Sequence, residues 1–369
     1  MKFVKWEDLK SGMRLARPIY SKSGVLLYER DAKLSVASIE SVKNFGLLGI
    51  YILEPAEPLP PMSEEDLAFE KFEIKTVSSL QEEIGRILTT KKQKNLPTIV
   101  SQIIRQYGHL DDKVHFYQNL RSRDDFVCRH MFNTAILCAM MASRMNISVE
   151  DRLILVSAAL VHDIGKMSSQ NPAIYGGEED MDRLSSMYDD AIAGAEMLED
   201  CMGTDGTKFR RICQQALRAQ KAADFGEEFE TKKMVKEAKI LLVASRYDEI
   251  TGMSLTGESK SEVKAVMDFQ DREDIYDPKA VQALIDSVFI LFPGVSVELS
   301  TGEKALVINE NQENILKPTV LGFKRNQIMD LSLNDYSDVR VVDIMKTLDN
   351  RYVFDQNAIA GAGINVPET

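Results

Sequence analysis

The chain has 369 residues, 44% of them hydrophobic and 28% charged, and carries a net charge of −12. That length predicts roughly two to three domains, and the balance of apolar and charged residues is that of a folded globular protein. The acidic excess speaks against a nucleic-acid polymer as partner, because a run of phosphates needs a basic footprint; a local basic pocket for a small anion stays open.

The opening residues, MKFVKWEDLK, are interrupted by charges and lead into no apolar run, so no secretory leader is predicted. No stretch reaches the roughly 20 apolar residues of a membrane helix. Cys128, Cys138, Cys201 and Cys213 form no CxxC pair, and three of them sit in apolar, helix-like contexts. Reduced, buried thiols and a cytoplasmic location are the expectation.

Residues 1–54 carry a small β-rich pattern. Turns at Ser11-Gly12 and Ser23-Gly24 flank short apolar runs. Val36–Phe45 spaces its apolar residues for a short helix, and Gly49–Leu53 closes as a strand. Residues 55–66 are rich in proline and acids, and proline fits neither a ladder nor a helix interior, so a linker is predicted there. Residues 67–124 form a helical connecting region with a lysine-rich break at Thr89–Asn95. His109 and His115 fall in this region among polar residues, as surface or capping histidines.

From 125 to 291 the spacing is helical almost throughout, with methionines as core filler. Residues 292–325 alternate as strands: Val295, Val297 and Leu299, a turn at Ser300–Glu303, a return strand through Ile308, and a third candidate at Ile315–Leu321. Pro318 assigns that third strand to an edge. Residues 326–369 are a C-terminal tail, glycine-rich and frayed after Tyr352.

The chemistry is expected at LILVSAALVHDIGK, Leu153–Lys166. The run Leu153–Val161 is apolar apart from Ser157, which predicts a buried helix, and His162 and Asp163 follow at its end. Imidazole and carboxylate are both ligands of first-row metals. Lys166, three residues after Asp163 and four after His162, shares their side of the helix. A capped helix end with a core histidine is the alternative for the same string.

Three regions together resemble an HD-GYP protein, the phosphodiesterase class that opens the second messenger cyclic di-GMP. LKSGMRLARPIYSKSGVLLY is similar to the β-rich module found ahead of some HD-GYP domains. His130, in RHMFNTAILCAMMASRM, resembles the family's first ligand helix, and AALVHDIGK resembles its HD motif closely. FPGVSVELSTGE resembles its C-terminal end. The resemblance implies a mainly α fold: an HD-type helical bundle between a small β-rich module and a short C-terminal β segment. It also implies bacterial cyclic di-GMP signalling and metal ligands at His130, His162 and Asp163. Lys166 is implied as a contact to a phosphate oxygen.

The departures bear on activity. The family's metal cluster draws on further histidines and carboxylates. By register one of these positions falls at Asp190 and another at Ser245. The region of the family's paired histidines and GYP loop reads CQQALRAQKAADFGEEF, without histidine, and the whole chain has four histidines. The expectation is one divalent ion (Fe, Mn or Zn) on His130, His162, Asp163 and, weakly, Asp190, or no ion at all. Arg246 and Arg218 are candidates to bind ligand phosphates, because guanidinium forks take phosphate bidentately; a solvated basic helix face is the alternative for Arg218. A degenerate signalling protein that senses cyclic di-GMP or a related nucleotide, or acts as a scaffold for a signalling partner, is the first functional expectation. An active phosphohydrolase with a reduced metal site and a purely protein-binding module are the alternatives.

Overall fold

A computed structural model describes residues 2–345 apart from 22, 54–63, 110–111, 117–119, 169–180 and 254–258. The N-terminal module comprises β1 (Lys2–Lys5), β2 (Arg14–Leu15), β3 (Ile19–Tyr20), β4 (Leu26–Tyr28), α1 (Val36–Asn44) and β5 (Gly49–Leu53). β5 lies between β1 and β2 in an antiparallel sheet, and β3 and β4 pair as a hairpin. Leu15, Ile19, Val42, Ile50 and Ile52 form the module's own core. Ser35 starts α1 with a capping box: its hydroxyl accepts from Ser38 N, and its N–H donates to Ser38 Oγ. The helix and closing strand expected from the spacing are both present. β1 is an addition, a strand inside the charged opening.

The helical unit follows as α2 (Glu64–Thr90), α3 (Leu96–Tyr107), α4 (Phe126–Arg144), α5 (Val149–Val161), α6 (Ile164–Ser168), α7 (Met181–Glu199), α8 (Gly206–Phe225), α9 (Lys236–Thr251), α10 (Glu262–Asp271) and α11 (Pro278–Ile285). α2 begins within the stretch assigned to the linker. Gly108 ends α3, and the described residues between it and Phe126 are not helical, where the sequence predicts helix to 124. α4 is buried on every side from Met131 to Ala142, so it can only be the centre of the bundle. α5, α9, α3, α11 and α2 pack around it. Ser148 caps α5, its hydroxyl accepting from Asp151 N at 3.1 Å.

The described residues end in β6 (Ser296–Leu299), β7 (Lys304–Asn309), β8 (Thr319–Gly322), β9 (Gln327–Asp330) and β10 (Val341–Ile344), an antiparallel sheet ordered β10-β6-β7-β8-β9. Two expectations are corrected here. β8 is internal rather than an edge: Pro318 stands just before it, where its missing N–H is outside the ladder. The tail assigned from 326 supplies two strands of the sheet; the residues after 345, where fraying is expected, lie outside the described set.

The module meets the helical unit main chain to main chain. Leu47 and Ser122 form an isolated antiparallel bridge, Leu48 N donates to Arg121 O, and Arg123 N donates to Gly46 O. Within the bundle, α6 crosses α7 at two glycines. A Cβ on Gly165 would stand 1.8 Å from Asp190 O, and one on Gly194 would stand 2.7 Å from Gly165 Cα. Both closest atoms are backbone, so a methyl group cannot be accommodated by a rotamer change. Gly165→Ala is therefore expected to destabilise the fold by about 1–3 kcal/mol or more, read as a lower urea midpoint with an unchanged slope.

Candidate metal centre

His130 lies in the second turn of α4, His162 caps the C-terminal end of α5, and Asp163 falls between α5 and α6. All three are buried, and one donor atom from each lies within 4.8 Å of the others. Among the described residues this is the one such group of three or more His, Cys, Asp or Glu.

The hydrogen bonds behind the imidazoles set which nitrogen faces the centre. His162 Nδ1 is 2.9 Å from Ala159 O, and a carbonyl only accepts, so the ring proton is on Nδ1 and the lone pair on Nε2. His130 Nδ1 is 2.7 Å from Asp248 Oδ2, which assigns the same tautomer to it. The two Nε2 atoms then converge: His130 Nε2 is 3.7 Å and His162 Nε2 3.8 Å from the Asp163 carboxylate. Such backing of a ligating imidazole by a carboxylate or carbonyl is the usual support of a metal-bound histidine. Ser245 Oγ on α9 completes the wall, 3.3 Å from His130 Nε2 and 3.4 Å from His162 Nε2.

Protonation states fit a cation. Burial pushes His162 down to about 4, against the pull of Asp163, so the ring is neutral near pH 7. Burial would raise the Asp163 carboxyl, but the Lys166 ammonium and the two imidazoles outweigh it and hold it well below the ordinary carboxylate range. Lys166 Nζ donates to Asp163 Oδ2 at 2.7 Å. Imidazole nitrogens from His130 and His162 together with an ionised carboxylate suit a single divalent ion of the first transition row.

Asp248 supports the arrangement from behind. Its carboxylate accepts from Arg121 Nη2 at 2.7 Å, from Asn133 Nδ2 at 2.8 Å and from His130. Burial is again outweighed, first by Arg121 and then by the His130 and Asn133 contacts, so the carboxyl stays well below its ordinary value. Gly252 leaves room for the guanidinium: a Cβ there would lie 2.6 Å from Arg121 Nη2.

A cavity of about 220 Å3 reaches the centre, lined by His130 and Lys166 with Arg121, Phe126, Tyr188 and Arg246. Arg246 Nη1 lies 3.1 Å from Asp224 and 3.5 Å from Glu249, two further residues of the lining. Of the residues singled out in the sequence, His130, His162, Asp163, Lys166 and Arg246 thus come together. Asp190 does not enter the three-donor group: it is half-buried on α7, which presents its main chain to Gly165. Arg218 is exposed on α8 and does not line the cavity. Asp248, Asn133 and Arg121 were not singled out. For Asn133 and Asp248 the signal was polarity in apolar helices, one turn from a named residue: Asn133 is three after His130, and Asp248 three after Ser245; Arg121, in the irregular segment before α4, carries no such signal.

Residues 127–250, from the start of α4 to the end of α9, match the family model of the HD domain. A cyclic di-GMP phosphodiesterase of Pseudomonas aeruginosa, PA4108, is 24% identical to this chain over 212 residues, which are 55% of this chain and 49% of that protein. The chain therefore spans about half the length of that curated relative. Bd1817, an HDG"Y"P protein from Bdellovibrio bacteriovorus, superposes with a TM-score of 0.44 and 13% identity, covering 77% of this chain and 98% of that one. No helix among the described residues is long and apolar enough to cross a membrane.

Two predictions follow from the centre. Asp248→Asn leaves a buried guanidinium without its counter-charge and is expected to cost about 3–5 kcal/mol, measured by urea unfolding with Ser245→Ala as the mild comparison. His162 has its folded pKa below its ordinary value, so the unfolded state takes up the proton first. Stability of metal-free protein is then complete above about pH 6.5 and falls as the pH drops toward 4, by roughly 3 kcal/mol from this group. His162→Gln should flatten that part of a stability–pH curve.

Proposed function

We propose that the chain is a catalytically impaired HD-GYP-type signalling protein, which holds one divalent ion and responds to cyclic di-GMP or a related nucleotide without hydrolysing it efficiently. The observation that carries this reading is the donor count: among the described residues, three potential ligands gather, and the carboxylate among them is engaged by Lys166. Two-metal hydrolysis needs a second ion beside the first to hold the attacking or leaving oxygen. Ser245, at a position where the family has a carboxylate, offers a neutral hydroxyl instead.

The cations of the cavity support a ligand role that depends on the ion. Lys166 is matched by Asp163, Arg121 by Asp248, and Arg246 by Asp224 and Glu249. The lining therefore offers a phosphate diester little net positive charge until a divalent ion is added. An ion on His130, His162 and Asp163 would supply that charge and polarise a phosphate oxygen. Lys166 would then exchange Asp163 for the phosphate.

A second reading, a slow phosphohydrolase with one ion, is favoured by the same backing of the imidazoles, which leaves both Nε2 lone pairs directed inward. Metal analysis joined to calorimetry separates the two. The first reading expects about one equivalent of Fe, Mn or Zn per chain and metal-dependent heat with cyclic di-GMP. It also expects loss of both in His162→Ala, and no linear product. Turnover that His162→Ala abolishes would establish the second reading. Absence of metal together with absence of heat would remove both.

A further inference from the structure

A second cavity, of about 420 Å3, lies where the N-terminal module meets α2 and the start of α4, on residues the metal centre does not use. Its walls come from both units. Ile19, Phe45 and Leu47 of the module and Ile74 of α2 make an apolar side, and Phe45 is 42% exposed there. The polar side holds four carboxyl groups, those of Glu70, Glu73, Asp124 and Asp125, against two guanidiniums, those of Arg17 and Arg129. Arg17 donates to Glu70 at 2.6 Å; Arg129 donates to Glu73 at 2.8 Å and to Asp125 at 2.6 Å. Both guanidiniums are therefore committed to carboxylates of the same wall, and the excess charge of the lining is negative.

A separate feature points to an occupant. Ser122 lines the cavity and is 3% exposed. Its N–H donates to Asp125 Oδ1 at 2.7 Å, but its hydroxyl oxygen has no hydrogen-bond partner among the described residues. A buried hydroxyl left without a partner costs on the order of 1–3 kcal/mol, and native proteins rarely leave one so. A donor arriving in the cavity would satisfy it.

We propose that this junction cavity binds a small organic cation, an ammonium or amidinium group carried on an apolar body. The cationic head lies against Glu73 and Asp125 and donates to Ser122 Oγ, and the apolar body lies on Phe45, Leu47 and Ile74. An anionic ligand is disfavoured by the same wall, because both arginines already have their counter-charges. Burial pushes the Glu73 carboxyl up to about 7 in spite of Arg129 and Arg17, so the two arginines do not fully stabilise its charge and a further cation has something to gain. The volume is near the lower end of the range of small-molecule sites, large enough for a single-ring amine.

The test is calorimetric titration of the full chain, at low salt and pH 7.5, with 2-phenylethylammonium, benzamidinium and agmatine, and with phenylacetate as the charge-reversed control. Saturable heat with at least one of the cations and none with phenylacetate is expected. Glu73→Gln, which keeps the shape and removes the charge, is expected to weaken that binding at least tenfold. Ile74→Trp, which fills the volume from the half-exposed face of α2, is expected to abolish it. Circular dichroism identifies any variant that does not fold, and the other then decides. No heat from any of the three cations overturns the proposal. So does equal heat from phenylacetate, or cation binding that a folded variant leaves unchanged.

Discussion

The carboxylate of Asp248 holds the centre of this molecule together. It is fully buried and accepts hydrogen bonds from Arg121, Asn133 and His130 at once. Those donors come from two separate parts of the chain. His130 and Asn133 belong to the central helix α4, Arg121 to the irregular segment before it, and Asp248 itself to α9. A buried charge is tolerated only when its oxygens are satisfied and its counter-charge is close. Meeting that condition here fixes the spacing of α4 against α9 and the tautomer of His130 together. The inward direction of the His130 Nε2 is thus a by-product of neutralising one aspartate.

The electrostatics of the cavity follow the same economy. Each cation that faces it has an acid beside it, so the pocket is structured without being strongly positive. In a water-poor interior such pairs are close to neutral in net stability but costly to break singly. Side chains thus define the cavity's shape and hydrogen-bonding directions while leaving it little net charge.

Much of the site was legible from the sequence because it is local. His162, Asp163 and Lys166 are neighbours at the end of one apolar run, and the helical spacing alone places them on one side. His130 and Ser245 were found by register with a family pattern, and both line the centre. Arg121 and Asp248 escaped because their contact spans 127 residues of chain, and nothing in either local string marks it. Asp190 misled for a related reason: register gives the position along α7 but not which part of the residue is presented, and the glycine crossing brings main chain rather than side chain to α6. In the C-terminal sheet, β9 reads QIMD and β10 VVDI, and neither alternates apolar with polar residues as β6 does. Pro318 was weighed as if it were inside its strand, whereas standing one residue before it removes nothing from the ladder.

Residue 121 is attached at both ends to different bodies. Its carbonyl takes the N–H of Leu48, beside the bridge between Leu47 and Ser122, while its guanidinium grips Asp248 behind the imidazole of His130. The side chain is fully buried. The first fifty residues and the backing of an imidazole in the helical bundle are thus joined through one arginine, which spans them as a tie-rod.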